Sequence, residues 1–197
     1  GKPWAEADAD VCEAIDFCDY YARESIKLFE PNRLGKFAGE LNQLVHQPLG
    51  VCAVISPWNF PLAISCGMVV AALVTGNTTI LKPAEQTPVI AKLLVDLLHQ
   101  AGVPKDALIF LPGVGETVGA ALVRDPRVSS IAFTGSKEVG QIILRDAVMN
   151  PPEGRLSKRV ICETGGKNAM VIDISADLDE AVLGVRDSAF GFSGQKC

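Results

Sequence analysis

The chain has 197 residues, of which 48% are hydrophobic and 21% charged, the profile of a globular protein with a substantial core. Its formal net charge of -5 argues against a nucleic-acid-binding protein, which normally carries a basic face. No uncharged apolar run approaches the roughly 18 residues of a membrane span, and the amino terminus has no signal-peptide layout.

The cysteines indicate neither a disulfide framework nor a zinc site. Two fall on a predicted helix (Cys12 and Cys18) and three lie inside apolar stretches (Cys52, Cys66 and Cys162), which is typical of free thiols that pack as small hydrophobes. No C-x-x-C pair is present and neither histidine stands near a cysteine. We therefore predict no metal site and a reducing compartment, the cytoplasm or, in a eukaryote, the mitochondrial matrix.

Short apolar strands alternate with helices from residue 50 onward. Before that point, helical spacing of apolar residues predicts a long amphipathic helix over 10–29, and 41–47 resembles a short strand pair or edge segment. Strands are predicted at 51–55, 78–81, 108–111, 130–133 and 159–162, and helices at 62–74, 88–100 (after a Thr87 cap), 117–123 and 137–147. This alternation is typical of βαβ units, so we predict an α/β fold with a Rossmann-like parallel sheet and helices on both faces.

The pattern begins again after Gly166, with a strand predicted over 169–174 and a helix over 178–190. A lone strand and helix cannot bury both of their faces, so we expect this stretch to open a second domain whose remainder is missing. The predicted domains are residues 1–165, which include the first helix and the edge segment, and residues 166–197.

Polar and glycine residues follow five of the predicted strands, at 56–59, 82–85, 112–115, 134–136 and 163–166. Ligands bind at the carboxyl ends of parallel strands, and five such loops together predict a binding rim. Segment 113–119 resembles the dinucleotide fingerprint but misses it, because its third glycine comes one position late. Gly115 therefore marks either a tight turn or a helix start that attracts a pyrophosphate.

Four motifs occur in one order along the chain: PWNFP at 57–61, FTGS at 133–136, ETGGK at 163–167 and GQKC at 194–197. With them the sequence from about residue 50 to residue 197 resembles the aldehyde dehydrogenase superfamily, and residues 10–29 match less specifically. The resemblance implies that residues 1–165 bind NAD(P) and that a catalytic domain begins at 166. It also implies a small-molecule aldehyde substrate and a homo-oligomeric full-length protein.

The resemblance assigns three catalytic positions. Cys197 matches the nucleophile, whose thiolate attacks the aldehyde carbonyl to give a thiohemiacetal. Asn59 matches the residue whose amide holds the developing oxyanion together with the backbone N–H of Cys197. Glu163 matches the general base that activates water to hydrolyse the acyl-enzyme. The alternative structural roles are an inert buried thiol, a turn residue between two prolines and a carboxylate that caps a glycine turn.

The resemblance also assigns the cofactor contacts. Lys82 and Glu85 match residues that hydrogen-bond the adenosine ribose, and a carboxylate there favours NAD, because the 2′-phosphate of NADP would meet a negative charge. NADP stays an alternative, since some relatives with a glutamate at this position use both cofactors. The other cofactor-binding candidates are Ile55, Ser56, Trp58, Gly115, Gly135 and Ser136.

Within the superfamily the sequence most resembles 1-pyrroline-5-carboxylate dehydrogenases, alone or as a module of bifunctional proline-utilisation proteins. The segments that carry this likeness are 14–22 (AIDFCDYYA), 163–169 (ETGGKNA) and 190–197 (FGFSGQKC). The implied reaction oxidises L-glutamate γ-semialdehyde to L-glutamate in proline catabolism. The alternatives are a dinucleotide-binding fragment without turnover, or another semialdehyde dehydrogenase, including a CoA-acylating one that needs no water-activating Glu163.

Overall fold

The computed structural model describes residues 2–196. A long helix, α1 (Trp4–Leu28), opens the chain, and an antiparallel pair follows it, formed by β1 (Asn32–Arg33) and β2 (Gln43–Leu44). The helix begins earlier than the predicted residue 10. The predicted edge segment at 41–47 contains only β2, because its partner strand lies directly after the turn that ends α1.

Five parallel strands form the central sheet, in the spatial order β5-β4-β3-β6-β7. They are β3 (Val51–Ile55), β4 (Thr78–Lys82), β5 (Leu108–Phe110), β6 (Val128–Gly135) and β7 (Arg159–Thr164). The predicted α/β class and parallel sheet are confirmed. From β3 the chain builds outward to β4 and β5, then returns to add β6 and β7 on the other side. The topological switch point, where such sheets bind ligands, therefore lies between the carboxyl ends of β3 and β6.

Helices cover both faces of this sheet. They are α2 (Ala63–Val74) and α3 (Pro88–Gln100) on one face and α4 (Ala120–Arg124) and α5 (Lys137–Met149) on the other. A further helix, α6 (Leu178–Phe190), has no buried residue. The predicted helix at 117–123 is divided in the structure, since a π-helical turn (Gly115–Gly119) precedes α4. No helix within residues 2–196 is both long and apolar enough to cross a membrane.

Alternate residues of β3 pack into two different cores. Cys52 and Val54 join the core beneath α2 and α3, whereas Ala53 and Ile55 join the core beneath α4 and α5. All four side chains are buried. Two-sided burial explains why β3 is continuously apolar instead of alternating, and it identifies β3 as a central strand.

The predicted strand at 169–174 is wrong. This segment has no strand assignment, and Val171 and Ile174 are 90% and 101% exposed. A strand satisfies its backbone groups only against a neighbour, and no other strand pairs with this segment in the described part of the chain. The prediction for α6 is confirmed, because a helix bonds within itself and Asp177 Oδ1 caps it by accepting from the N–H of Asp179 and of Glu180.

The start of α3 also corrects a prediction. Thr87 occupies the N-cap position, but its side chain makes no capping hydrogen bond. Its hydroxyl is buried without a hydrogen-bond partner among residues 2–196. The helix begins at Pro88 all the same, because the proline ring fixes a helical φ and its missing N–H needs no partner there.

Candidate active site

A cavity of about 460 Å³ opens at the carboxyl ends of β3, β6 and β7. We call it the Asn59–Glu163 cavity. All of its lining residues belong to the four motifs, among them Trp58, Asn59, Gly135, Ser136, Glu163 and Gln195. Two of the three predicted catalytic residues therefore share one cavity beside the switch point. The third, Cys197, lies outside the described residues.

Asn59 is held from both its side chain and its backbone. Its Nδ2 atom donates to the carbonyl of Gln195 at 2.8 Å, and its own carbonyl accepts from Lys2 Nζ at 3.1 Å. A carboxamide carries two N–H donors, so one stays available after the bond to Gln195. The contact joins two loops 136 residues apart and fixes the Asn59 amide. Its acceptor, Gln195, lies two positions before Cys197 in the sequence.

Glu163 lies on β7, where it pairs with Thr134 of β6. Successive residues of a strand point to opposite faces, and the side chain of Glu163 is exposed on the cavity side of the sheet end. An exposed carboxylate at the mouth of a cavity can exchange protons with water that enters it.

Gly135 sits directly on the ring of Phe133. A Cβ atom at Gly135 would lie 2.6 Å from Phe133 Cζ, and Phe133 is 4% exposed within the core. The backbone at the end of β6 can approach this ring only because residue 135 has no side chain. The next residue, Ser136, caps α5 by accepting from the N–H of Val139 at 3.3 Å, and its hydroxyl hydrogen remains a donor.

A second, narrower cavity of about 170 Å³ lies between the end of β3 and the helices α4 and α5. We call it the Gly115 cavity. Ile55, Gly115, Val123, Val139 and Ile143 are among its lining residues. Its apolar walls suit a flat ring system, and its position beside Gly115 connects it to a charged pair at the end of β4.

That charged pair is Lys82 with Glu85. The Lys82 side chain is 4% exposed, and its Nζ atom lies 3.0 Å from Glu85 Oε1. The backbone N–H of Gly115 donates to the same oxygen. The pKa of Glu85 is held below its ordinary value of 4.5 by hydrogen bonds. The largest contribution comes from its own backbone N–H, and smaller ones come from Lys82 and Gly115. Glu85 is therefore a carboxylate at neutral pH, and its other oxygen can accept from a hydroxyl group.

Gly115 lies directly beside this charged pair. A Cβ atom at Gly115 would lie 3.4 Å from Glu85 Oε1 and 3.9 Å from Lys82 Nζ. A side chain there would fill the space beside the carboxylate that the glycine leaves open. The turn after β5 leads into the π-helical turn at Gly115, and the backbone N–H of Gly115 donates to the Glu85 carboxylate.

The remaining cofactor candidates divide between the two cavities. Trp58, Gly135 and Ser136 line the Asn59–Glu163 cavity, and Ile55 lines the Gly115 cavity. Ser56 is buried between them, where its hydroxyl accepts from Ser65 Oγ at 2.8 Å. Its backbone N–H donates to the Lys82 carbonyl at 3.2 Å, so Ser56 joins the ends of β3 and β4.

A family model, that of the aldehyde dehydrogenase family, matches residues 1–197. The chain belongs to the aldehyde dehydrogenase family. It is 52% identical over 198 residues to 1-pyrroline-5-carboxylate dehydrogenase 2 of Halalkalibacterium halodurans, a match that covers 100% of this chain and 38% of that protein. The chain thus spans less than two fifths of the length of this curated relative.

Solved structures from the same family share the fold. Proline utilization A (PutA) from Bdellovibrio bacteriovorus, inactivated by N-propargylglycine, superposes with a TM-score of 0.95 at 56% identity, over 100% of this chain and 20% of that one. A 1-pyrroline-5-carboxylate dehydrogenase from Thermus with bound NAD gives a TM-score of 0.95 at 49% identity, over 100% of this chain and 38% of that one.

Sequence reasoning missed the residues that hold this candidate site together from outside the rim. Lys2 and Asp10 reach the Asn59 loop from the amino-terminal segment, 57 and 53 positions away from the groups they bind. No local spacing connects such pairs, so no pattern in the chain could have indicated them. Within residues 2–196, no group of three His, Cys, Asp or Glu side chains is arranged to hold a metal ion.

Proposed function

We propose that this chain is part of an NAD-dependent dehydrogenase that oxidises L-glutamate γ-semialdehyde to L-glutamate. The observation that carries the proposal is the single cavity that Asn59 and Glu163 share at the switch point, with Gln195 bonded to Asn59 just before the GQKC cysteine. Relatives named 1-pyrroline-5-carboxylate dehydrogenase that match the whole of this segment support the substrate.

The reaction begins with attack of the Cys197 thiolate on the aldehyde carbon. The carbonyl oxygen becomes an oxyanion, and the N–H of Asn59 that Gln195 leaves available donates to it, together with the Cys197 backbone N–H. Because the bond to Gln195 fixes the plane of the amide, the donor needs no reorientation as the charge develops.

The residues of the rim fit a dinucleotide. Glu85 would accept from a ribose hydroxyl, Lys82 would hold Glu85 in place, and the space that Gly115 leaves beside them admits the sugar. Ile55 would contact the adenine ring, while Ser136, Gly135 and Trp58 would hold the part of the cofactor nearer to Asn59. When bound, NAD supplies the acceptor for the hydride that leaves the thiohemiacetal carbon.

Deacylation completes the cycle. Glu163 takes a proton from a water molecule, whose oxygen attacks the thioester carbon and displaces the Cys197 sulfur. The products are the carboxylic acid and the free cysteine, so the nucleophile is regenerated without a further reactant. The exposed position of Glu163 lets its carboxylic acid return the proton to bulk water.

Glu85 carries the choice of NAD over NADP. Its lowered pKa keeps it anionic, which repels a 2′-phosphate and attracts a 2′-hydroxyl. Lys82 offsets part of that repulsion at 3.0 Å, so NADP would bind more weakly without being rejected outright.

Three further properties belong to the same proposal. We assign the segment to a cofactor-binding domain (1–165) and to the start of a catalytic domain (166–197). The five described cysteines are free, which suits a reducing cytoplasm or mitochondrial matrix. Exposed apolar residues around β1 and β2, namely Phe37, Leu41 and Val45, suit burial against a second copy in a homo-oligomer.

The test is a substrate comparison with the intact dehydrogenase that contains this segment. NADH formation should be faster by at least about tenfold in kcat/KM with L-glutamate γ-semialdehyde than with succinate semialdehyde or propanal, since a site built for substrate polar groups rejects analogues without them. The acid should form at the same rate with or without coenzyme A. A coenzyme A requirement, or equal rates for all three aldehydes, would refute the assignment.

A further inference from the structure

The ammonium group of Lys2 lies between the amino-terminal segment and the Asn59 loop. It donates to Asp10 Oδ2 and to the carbonyl of Asn59, both at 3.1 Å. The Lys2 side chain is 20% exposed and that of Asp10 7%, so water competes little for either bond. Lys2 is thus an ordered part of the backbone support of Asn59, and not a solvated surface lysine.

Asp10 anchors the lysine to the rigid part of the fold. Its Oδ1 atom accepts from the backbone N–H of Ala63 at 2.8 Å, and Ala63 is the first residue of α2. Both carboxylate oxygens are therefore used, one by the helix start and one by Lys2. Because α1 packs closely along α2, the position of Asp10 is set by the core and not by the loop that Lys2 holds.

The same ammonium group also faces two aromatic rings. Its Nζ atom lies 4.2 Å from the centre of the Phe60 ring and 5.2 Å from that of Phe192, and the two rings meet edge to face at 5.6 Å. Phe60 follows Asn59 directly, and Phe192 belongs to the loop that leads to Gln195. The cation therefore contacts both chain segments whose meeting point is the Asn59–Gln195 bond.

The loop that carries Phe192 needs such support. Phe192 and Ser193 have φ values of 52° and 53°, in the left-handed region that residues with side chains rarely adopt. This conformation persists only where surrounding contacts hold it. A second contact acts on the same loop, since Lys196 Nζ bonds Glu6 Oε1 of α1 at 2.7 Å.

We propose that Lys2 is a positioning residue for the oxyanion contact. It fixes the Asn59 backbone and the Phe192 ring with one charge, and so sets the orientation in which the Asn59 amide meets the developing oxyanion. The inference rests on the proposed dehydrogenase function and adds to it a residue that touches neither substrate nor cofactor. Its effect must therefore pass through Asn59.

The experiment is a double-mutant cycle in the intact dehydrogenase, read as the single-turnover rate of NADH formation. Lys2→Met keeps the aliphatic stem and removes the charge, and we expect a rate about tenfold lower, because misplacing a donor is less severe than deleting it. Asn59→Ala should lower the rate about 10²-fold or more. The double variant should be at most about twofold slower than Asn59→Ala, since Lys2 then has no amide left to position.

Two further variants separate positioning from folding. Lys2→Arg keeps a charge that can donate to both oxygens and stack on Phe60, so it should recover most of the wild-type rate. Lys27→Met removes a lysine from the far end of α1, where its partner Glu24 is exposed, and it should change nothing. NAD affinity should be the same in all variants, because the Lys82–Glu85 pair lies at the end of another strand.

The outcomes distinguish this inference from the proposed function. If Lys2→Met and Asn59→Ala lower the rate by independent factors that multiply, or if Lys2→Met keeps the wild-type rate, the positioning role is wrong while the dehydrogenase assignment stands. If Asn59→Ala itself keeps the wild-type rate, the oxyanion role fails and the inference fails with it. Should Lys2→Met not fold, a Lys2→Arg rate as low as that of Asn59→Ala would contradict the role.

Discussion

The two cavities of the rim are built in different ways. The charged pair beside the Gly115 cavity is local in sequence, since Lys82 and Glu85 are three positions apart, while the walls of that cavity come from β3, α4 and α5. The Asn59–Glu163 cavity is assembled from distant segments, because Asn59 meets Gln195 across 136 positions and Lys2 across 57. The Lys82–Glu85 pair needs only the end of β4 and the turn after it, whereas the Asn59–Gln195 contact exists only when the whole segment is folded.

This difference affects how each site should respond to change. The carboxylate of Glu85 is held by hydrogen bonds from its own backbone, from Lys82 and from Gly115, so a disturbance of the Asn59 loop leaves it in place. The Asn59 amide depends on a loop with left-handed residues and on the contact from Lys2, so small displacements change its direction. We therefore expect substitutions to separate into those that lower turnover and those that change cofactor preference.

The largest expected effect is that of Cys197→Ala. Aldehyde oxidation in the intact dehydrogenase should fall by at least about 10⁴-fold, because the covalent route is lost. NAD affinity should be unchanged, since the ribose contacts belong to the other cavity. Stopped-flow NADH formation and a NAD binding titration measure the two properties, and Cys12→Ala, an exposed cysteine of α1, is the matched control. Comparable loss of NAD binding in Cys197→Ala would show that the two cavities are not independent.

The next effect is that of Glu163→Gln. Only hydrolysis needs an activated water, so steady-state turnover should fall about 10²- to 10⁴-fold while the first equivalent of NADH still forms. The expected record is a burst of one NADH per site followed by slow turnover. Glu153→Gln, at an exposed turn before β7, should behave as the wild type. A missing burst, with Cys197 still reactive towards iodoacetamide, would instead indicate that Glu163 activates the thiol.

The sequence was sufficient for those parts of the fold that need only local or periodic information. Predicted bounds for β3, α3 and α6 match the structure, and the two-sided burial of β3 explains its unbroken apolar run. The strand expected at 169–174 failed because a strand depends on a neighbour that the pattern does not contain. The Thr87 cap failed for a related reason, since the residue type fixes the position of a cap but not the direction of its hydroxyl.

The same limit applies to the candidate site. The family resemblance was enough to select Asn59, Glu163, Lys82 and Glu85, and the structure brings the first two into one cavity and the second two into one ion pair. The pattern could not indicate Lys2, because a lysine is ordinarily solvated and the contacts of this one lie 8 and 57 positions away. Long-range contacts of single side chains leave no periodic signal.

Gly135→Ala tests the boundary between the two cavities and should have an intermediate effect. Its new Cβ atom would lie 2.6 Å from Phe133 Cζ, and the buried ring cannot move aside without disturbing the core. The end of β6 must shift instead, which should lower kcat about 10- to 100-fold and weaken NAD binding as well. Gly184→Ala, where the added atom meets open space, is the control. A normal kcat in Gly135→Ala would show that the end of β6 has more freedom than this packing allows.

Glu85→Gln should have the smallest effect, and it tests whether cofactor preference is local to the charged pair. Losing a hydrogen bond to a charged acceptor should weaken NAD binding by about tenfold, while removal of the negative charge should strengthen NADP binding, so the ratio of the two kcat/KM values shifts towards NADP. Glu116→Gln is the matched control, because it removes one negative charge from the lining of the Gly115 cavity and leaves the Lys82–Glu85 pair intact.

The pH dependence of cofactor preference is a second measurement. The pKa of Glu85 lies below 4.5, so its carboxylate persists as pH falls from 8 to about 5 and is protonated only when pH falls through that lowered pKa. The wild-type preference for NAD should therefore be constant over this range and decline only in more acidic solution. A preference that declines already between pH 7 and 6, or an equal shift in Glu116→Gln, would mean that the general field of the cavity selects the cofactor and not the Glu85 carboxylate.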